Sequence, residues 1–292
     1  MLEIRDIVKS YDKTTVLHSI SLTINPGEIH GLIGENSAGK TTLIKCITGI
    51  YRAEVGSVQL DGAPVYNNPE AKKVLGYVAD YNEYINFYSP RRMASMYQCF
   101  YPTFDTEKFN SLNTVFELPL DKPISSLSKG QKTRLAIMLE ISKRPKYLIL
   151  DEPTSGLDPV AKEAFYKILI QETEENNMGV LISSHNLSGL EKLCDSVTMI
   201  HAGHVERQMS LDNLKNILTK VNVVFEGGAN PALHQRKDIL HLSSVGSIYT
   251  LILRDYNENT AKELEDLGAS FIEPVSLSLE ELFITLEENR SE

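Results

Sequence analysis

The stretch Gly34-Glu35-Asn36-Ser37-Ala38-Gly39-Lys40-Thr41 decides how this chain is read. It follows Glu28 to Ile33, a segment entered from a Pro26-Gly27 turn that reads as a strand. It precedes Lys40 to Thr48, which reads as a helix. G-x-x-x-x-G-K-[ST] between a strand and a helix is the pattern of a phosphate-cradling loop. Its glycines let the loop curl with backbone N–H groups inward, and the helix N-terminus adds a positive dipole. Gly34 through Thr42 are the expected binding loop, with Lys40 reaching the β- and γ-phosphates and the Thr41 hydroxyl binding Mg²⁺. At average residue frequencies such a match arises by chance in about one chain in a hundred of this length.

Outward from the loop, strands and helices alternate. Leu2 to Tyr11 and Val16 to Ile24 read as strands separated by Asp12-Lys13, and shorter strands follow at Gly56 to Leu60 and Val74 to Val78. From about residue 81 to 145 the pattern changes to longer helical segments punctuated by Pro90, Pro102, Pro119 and Pro123, a helical insertion. Strand and helix then alternate again: Tyr147 to Leu150, a helix from about Val160 to Glu174, Gly179 to Ser183, a short helix near Leu187 to Leu193, and Val197 to Ile200. This is the signature of an α/β fold with a largely parallel sheet. Past Met209 the texture shifts again, and residues 211–292 read as a separate small α/β module after a main domain of 1–210. Its helices start at Thr260 (T-x-x-E) and Ser278 (S-x-x-E), each read as a capping box.

The bulk numbers narrow the classes. With 292 residues, 42% hydrophobic and 23% charged, the chain is an ordinary globular one. Its net charge of −10 makes it a poor sequence-independent binder of nucleic acid, so no nucleic-acid partner is expected. Seven basic and fourteen acidic side chains within 211–292 put −7 of that charge in the small module. No run approaches the ~18 apolar residues of a membrane span, and Glu3 and Asp6 are wrong for a signal peptide. Cys46, Cys99 and Cys194 lie far apart without a C-x-x-C pair, which points to a reducing compartment without a disulfide framework. A soluble protein is expected, and any work at a membrane requires another polypeptide to span it.

A second chemical element sits at Tyr147-Leu148-Ile149-Leu150-Asp151-Glu152. An apolar strand ending in two acids places carboxylates at the carboxyl edge of a parallel sheet, where open α/β sheets bind ligands. Asp151 suits the Mg²⁺ shell and Glu152 a general base polarising the attacking water. A third, Leu127-Ser128-Lys129-Gly130-Gln131, opens a helix with the capping box Ser128-x-x-Gln131. Gly130 sits in its first turn at a cost of up to ~1 kcal/mol relative to Ala, which a close backbone approach would explain.

In these motifs the sequence resembles the ATP-binding-cassette (ABC) ATPases. Their signature LSGGQ stands here as LSKGQ, Tyr11 is placed as the aromatic that stacks on adenine, Asp158 as the D-loop aspartate and His185 as the switch histidine at the γ-phosphate. The resemblance spans about residues 1–210. It implies ATP and Mg²⁺ as ligands and two cassettes packed head to tail, identical or related, each ATP lying between one phosphate loop and the other signature helix. Ser128, Gly130 and Gln131 serve the partner's nucleotide in that arrangement. Two departures stand out: Ser37 replaces a glycine usual in the family, and Asp80 occupies the Q-loop position that usually holds Gln. Asp80 is expected to join the metal ligands and to alter Mg²⁺ affinity or coupling rather than to abolish hydrolysis.

Between Tyr81 and Phe104, Tyr, Phe and Met are dense. This suits either a groove for a helix of a membrane subunit, as in ABC transporters, or the core of the insertion. The ending Ser278-Leu279-Glu280-Glu281-Leu282-Phe283 resembles that of ATP subunits of ABC-2-type exporters, which export drugs, peptides or polysaccharides. The expectation is an exporter subunit on the cytoplasmic face of the membrane, held there by separate transmembrane permease subunits. The alternatives are a soluble single-cassette assembly factor and an importer cassette.

Overall fold

The computed structural model describes residues 1–213, 218–226, 232–233 and 236–289, and these form two compact units. One comprises Met1–Asn186 with Leu193–Gln208, the other Leu187–Lys192 with Met209–Glu292.

The first unit is built on two sheets. β1 (Leu2–Tyr11), β2 (Thr14–Ile24), β4 (Val55–Leu60) and the two-residue β5 (Ala63–Pro64) form an antiparallel sheet in the order β2-β1-β4-β5. The second sheet has the order β10-β9-β3-β8-β7-β6. In it β6 (Leu75–Val78), β7 (Tyr147–Asp151), β8 (Gly179–Ser183), β3 (Ile29–Ile33) and β9 (Ser196–His201) run parallel. Every residue of β3, β7 and β8 is buried. That is why these segments are mostly apolar rather than alternating, with His30 of β3 a buried exception: a parallel sheet is covered on both faces. The edge strand β10 (His204–Ser210) has an alternating polar pattern that the sequence reading passed over; Ala202 and Gly203, at φ 44° and 77°, make the turn into it.

α1 (Lys40–Ile47) follows β3 and packs on β1, β2 and β7 over a core that includes Leu2, Ile4, Ile20, Ile44 and Ile149. Among the helices of residues 81–145, α3 (Pro90–Phe100) is capped by Ser89, α4 (Thr106–Phe116) by Asp105, and α5 (Lys129–Ser142) by a complete Ser128/Gln131 capping box. A buried carboxylate ties α5 to the sheet: Glu140 accepts from Lys143 Nζ (2.7 Å), Tyr97 OH (3.1 Å) and the Tyr77 backbone N–H (3.1 Å). The aromatic segment is partly packed and partly exposed. Tyr97, Tyr101, Phe104 and Phe109 stack into the insertion, while Tyr81, Phe87 and Phe100 are 72%, 76% and 63% exposed. β7 leads to α6 (Pro159–Asn176), capped by Asp158.

The second unit carries an antiparallel sheet of β11 (Leu218–Val224), β12 (Ile239–Val245), β13 (Ile248–Arg254) and β14 (Phe271–Val275) in the order β12-β13-β11-β14. That order is the ferredoxin-like one. Val221, Val223, Phe225, Leu251, Leu253 and Leu264 make its core. One expected cap is corrected here: the helix Glu258–Asp266 is capped by Asn257, which accepts from the Asn259 and Thr260 N–H groups. Thr260 is buried inside the first turn instead. The Ser278/Glu281 box does open Leu279–Glu288. Among the described residues no helix is long and apolar enough to cross a membrane.

Candidate active site

The loop between β3 and α1 is shaped by positions where only a small residue fits. A Cβ on Gly34 would meet the Ile200 carbonyl at 2.3 Å, and one on Gly39, at φ 105°, would meet Leu17 Cδ2 at 2.8 Å. Gly39 is the N-cap of α1 and offers no side-chain cap, so the first-turn N–H groups stay available. Ser37 stands at φ 70°, the left-handed region that explains glycine as the family's usual choice. Lys40 is 8% exposed and donates to the Gly34 carbonyl (2.7 Å) and the Glu35 carbonyl (3.0 Å). Its pKa is pulled down by burial, against the opposing pull of Glu152 and Asp151.

Across the opening, the carboxyl end of β7 brings the acids. Asp151 is buried and its Oδ1 accepts from Ser183 Oγ on β8 at 2.8 Å. Glu152 sits at φ 50°, with its N–H held by the Ser183 carbonyl (3.2 Å) and hydroxyl (3.1 Å). Left-handed backbone at a non-glycine residue is strain held by its surroundings, as is common at functional sites. His185 closes on Glu152 twice: its N–H donates to Oε2 (3.3 Å) and its Nε2 lies 3.1 Å from Oε1. Burial raises the Glu152 pKa, with the nearby His185 and Lys40 pulling the other way.

These groups line one cavity of about 410 Å³: Tyr11, Val16, Asn36, Ser37, Gly39, Lys40, Thr41, Thr42, Asp80, Asp151, Glu152 and His185. Val16, at the start of β2, carried no sequence signal. Gly34, Glu35 and Ala38 shape the loop from behind, the first two through the carbonyls that hold Lys40. A cavity of about 430 Å³ opens at the amino ends of the strands, by Pro26, Lys146 and Tyr147. It lies at the end opposite to where parallel sheets bind ligands.

Ser128, Gly130, Gln131 and Asp158 do not line the nucleotide-type cavity. Ser128 and Gln131 cap each other's backbone. Asp158 caps α6 through the Ala161 N–H (2.9 Å) and pairs with Arg134. The close approach expected at Gly130 is internal: a Cβ there would meet the Gly156 carbonyl at 2.2 Å. Two contacts went unforeseen. Lys129 Nζ lies 2.9 Å from Asp80 Oδ1 and 3.1 Å from Ser155 Oγ.

A family profile described as "ABC transporter" matches residues 17–155, from β2 through the loop and the signature to the β7 acids. The chain is 31% identical over 284 residues to the ABC transporter ATP-binding protein YtrB of Bacillus subtilis (strain 168), covering 97% of each. This chain belongs to the ABC transporter ATP-binding family. The cassette is also 32% identical to the lantibiotic transport ATP-binding protein SrtF of Streptococcus pyogenes, over 77% of this chain and 99% of that one. A solved structure of the ATP-binding subunit of an ABC transporter superposes with a TM-score of 0.69 at 27% identity, covering 74% of this chain and 92% of that one. The cassette is therefore an ATP-binding subunit with the P-loop ATPase fold, and its enzymatic activity is ATP hydrolysis.

Proposed function

We propose that this cassette hydrolyses Mg²⁺-ATP between two copies, or between itself and a related cassette, to drive export of a drug- or peptide-type cargo. The cargo would pass through separate transmembrane subunits, with the cassette on the cytoplasmic face. Residues 1–210 serve as the nucleotide-binding domain and 211–292 as an accessory module. One observation carries the reading: the cavity holds the phosphate loop, the acids and His185, whereas the signature residues lie outside it. One chain therefore presents half a site, and a second copy supplies the other half. The exporter assignment draws on the lantibiotic transport relative and on the three aromatics left exposed at Tyr81, Phe87 and Phe100, which suit a helix of a membrane partner.

The chemistry follows from the side chains in place. Tyr11, exposed at the rim with its hydroxyl 3.5 Å from Thr42 Oγ1, provides a face for adenine. The uncapped α1 N-terminus and Lys40 hold the phosphates, and an incoming γ-phosphate draws Lys40 off its own loop carbonyls. Thr41, Asp151 and Asp80 supply only hard oxygen donors, the set that Mg²⁺ prefers, and the metal there would neutralise charge developing on the phosphates. Glu152, made more basic than an ordinary carboxylate by burial, takes a proton from the attacking water. His185, already at Glu152, fixes the γ-phosphate.

Glu152→Gln is expected to keep ATP binding, to lower turnover by two or more orders of magnitude, about the size of a general-base contribution, and to yield a stable ATP-bound dimer by light scattering. Lys40→Ala is expected to lose nucleotide binding itself. Fast hydrolysis by Glu152→Gln would place the base elsewhere. Recovery from solubilised membranes with a multi-span protein tests the transport assignment.

A further inference from the structure

The two cassette residues that depart from the family pattern at the Q-loop and in the signature touch each other. Asp80 takes the place of a neutral glutamine and adds a third carboxylate to a cavity that already holds Asp151 and Glu152. Lys129 takes the place of a signature glycine at the first position of α5. A cation there opposes the helix dipole, so helix stability does not account for the lysine. Its ammonium reaches Asp80 Oδ1 at 2.9 Å and Ser155 Oγ at 3.1 Å. The Asp80 end is also built: Asn82 brackets the preceding residue, accepting from the Ala79 N–H (3.3 Å) and donating to the Ala79 carbonyl (2.7 Å). On the other side the signature and the D-loop turn are already in contact, with Gly130 against Gly156 and Arg134 paired with Asp158.

We propose that Lys129 is a positioning residue that neutralises Asp80 and competes with the divalent cation for its carboxylate. Cation occupancy in a chain's own cavity is thereby tied to the signature and D-loop segments that it presents to its partner. Of the two groups that Lys129 Nζ bonds, Asp80 is the one that lines the cavity, so the pair links a cavity carboxylate directly to the first residue of the signature helix. An ammonium and Mg²⁺ cannot both hold the same carboxylate oxygen at full strength. Metal entry therefore loosens Lys129, and a locked Lys129 raises the Mg²⁺ needed. Both side chains are half exposed, at 49% and 50%, so the effect is a tuning of affinity, not an on–off switch.

This inference rests on the ATPase reading, and its test separates the two. In a Glu152→Gln background, Mg²⁺ is titrated at fixed ATP and equilibrium ATP binding is read. Lys129→Met is expected to lower the half-saturating Mg²⁺ about three-fold, the size of a half-exposed ion pair. In an added Asp80→Gln background the same change is expected to do nothing. Lys129→Arg, which keeps the cation, is expected to stay at the parent value. Unchanged Mg²⁺ dependence, a rise, or equal shifts in both backgrounds would overturn the pairing while leaving the ATPase intact. Failure of the parent itself to bind ATP at any Mg²⁺ concentration would instead sink the ATPase reading. Thermal midpoints confirm that each variant is folded.

Discussion

Ser37 shows how a single backbone angle can be read as energy. At φ 70° an L-residue pays roughly 1–2 kcal/mol that glycine does not, while glycine gives back up to about 1 kcal/mol through the greater freedom of the unfolded chain. Ser37→Gly is therefore expected to stabilise the cassette by about 0.5–1 kcal/mol, a rise of about one to four degrees in Tm for a chain of this size, as about 2–4 °C accompany each kcal/mol. An unchanged or lower Tm would mean that the Ser37 side chain makes compensating contacts. At this scale the sequence was most informative where the site is contiguous. Gly34 to Thr42 need one turn of backbone to converge, so their spacing carries their geometry. The Asp80–Lys129 pair spans 49 residues; Asp80 stood out as a departure and Lys129 only as a letter within LSKGQ, and the folded chain alone shows that the two meet. Gly130 was legible as a close approach, yet the approaching atom, the Gly156 carbonyl, was not.

Elements were legible in proportion to how fully they are buried. β7 and β8 stood out because a nearly unbroken apolar run has few other uses, and β3 because it leads from a Pro-Gly turn into the phosphate loop. β10 and β14 did not: the first alternates with Glu206 and Arg207 inside it, and the second carries Pro274 and exposed Phe271. The cap at Asn257 was missed because Thr260 and Glu263 also spell a capping box, and only tertiary burial of Thr260 decides between them. β3 also has a polar anchor at its start. Glu28 accepts from the Asn25 N–H (3.0 Å) and Nδ2 (2.7 Å), from His30 Nδ1 (3.2 Å) and from Ser196 Oγ, and His30 Nε2 meets Thr198 Oγ1 at 2.7 Å. Burial works to raise the Glu28 pKa, but these hydrogen bonds together outweigh it and bring it down to about 2. A depressed carboxylate contributes stability above its unfolded value near 4.5 and loses it as pH falls through about 2. Glu28→Gln is thus expected to destabilise the cassette at pH 7 by at most about 3 kcal/mol, with the gap to wild type closing between pH 5 and pH 2. Denaturant midpoints at pH 7 and pH 3 check this, and a gap that is independent of pH would assign Glu28 a packing role.

For the whole molecule, the decisive quantity is charge. Each copy carries −10, −7 of it within residues 211–292, and if two copies close around ATP as proposed, they must overcome mutual repulsion before the signature and phosphate loop of opposite chains can meet. That repulsion acts over the Debye length, about 30 Å at 0.01 M salt and about 8 Å at 0.15 M. The attractions that close the sandwich act at contact distance, where screening is weak. Salt should therefore remove more of the opposing force than of the favourable one. The ATP-bound Glu152→Gln dimer, twice the 32.7 kDa of one chain, is expected to dissociate several-fold less readily at 0.15 M than at 0.01 M salt, with Mg²⁺ and ATP held saturating. Sedimentation equilibrium at the two ionic strengths measures it. A dimer that instead tightens at low salt would show that the facing surfaces carry local complementary charge, with ion pairs between chains outweighing the net repulsion. Charge-reversal at Asp158, which is exposed beside the signature helix and paired with Arg134, would then be the first place to look for them.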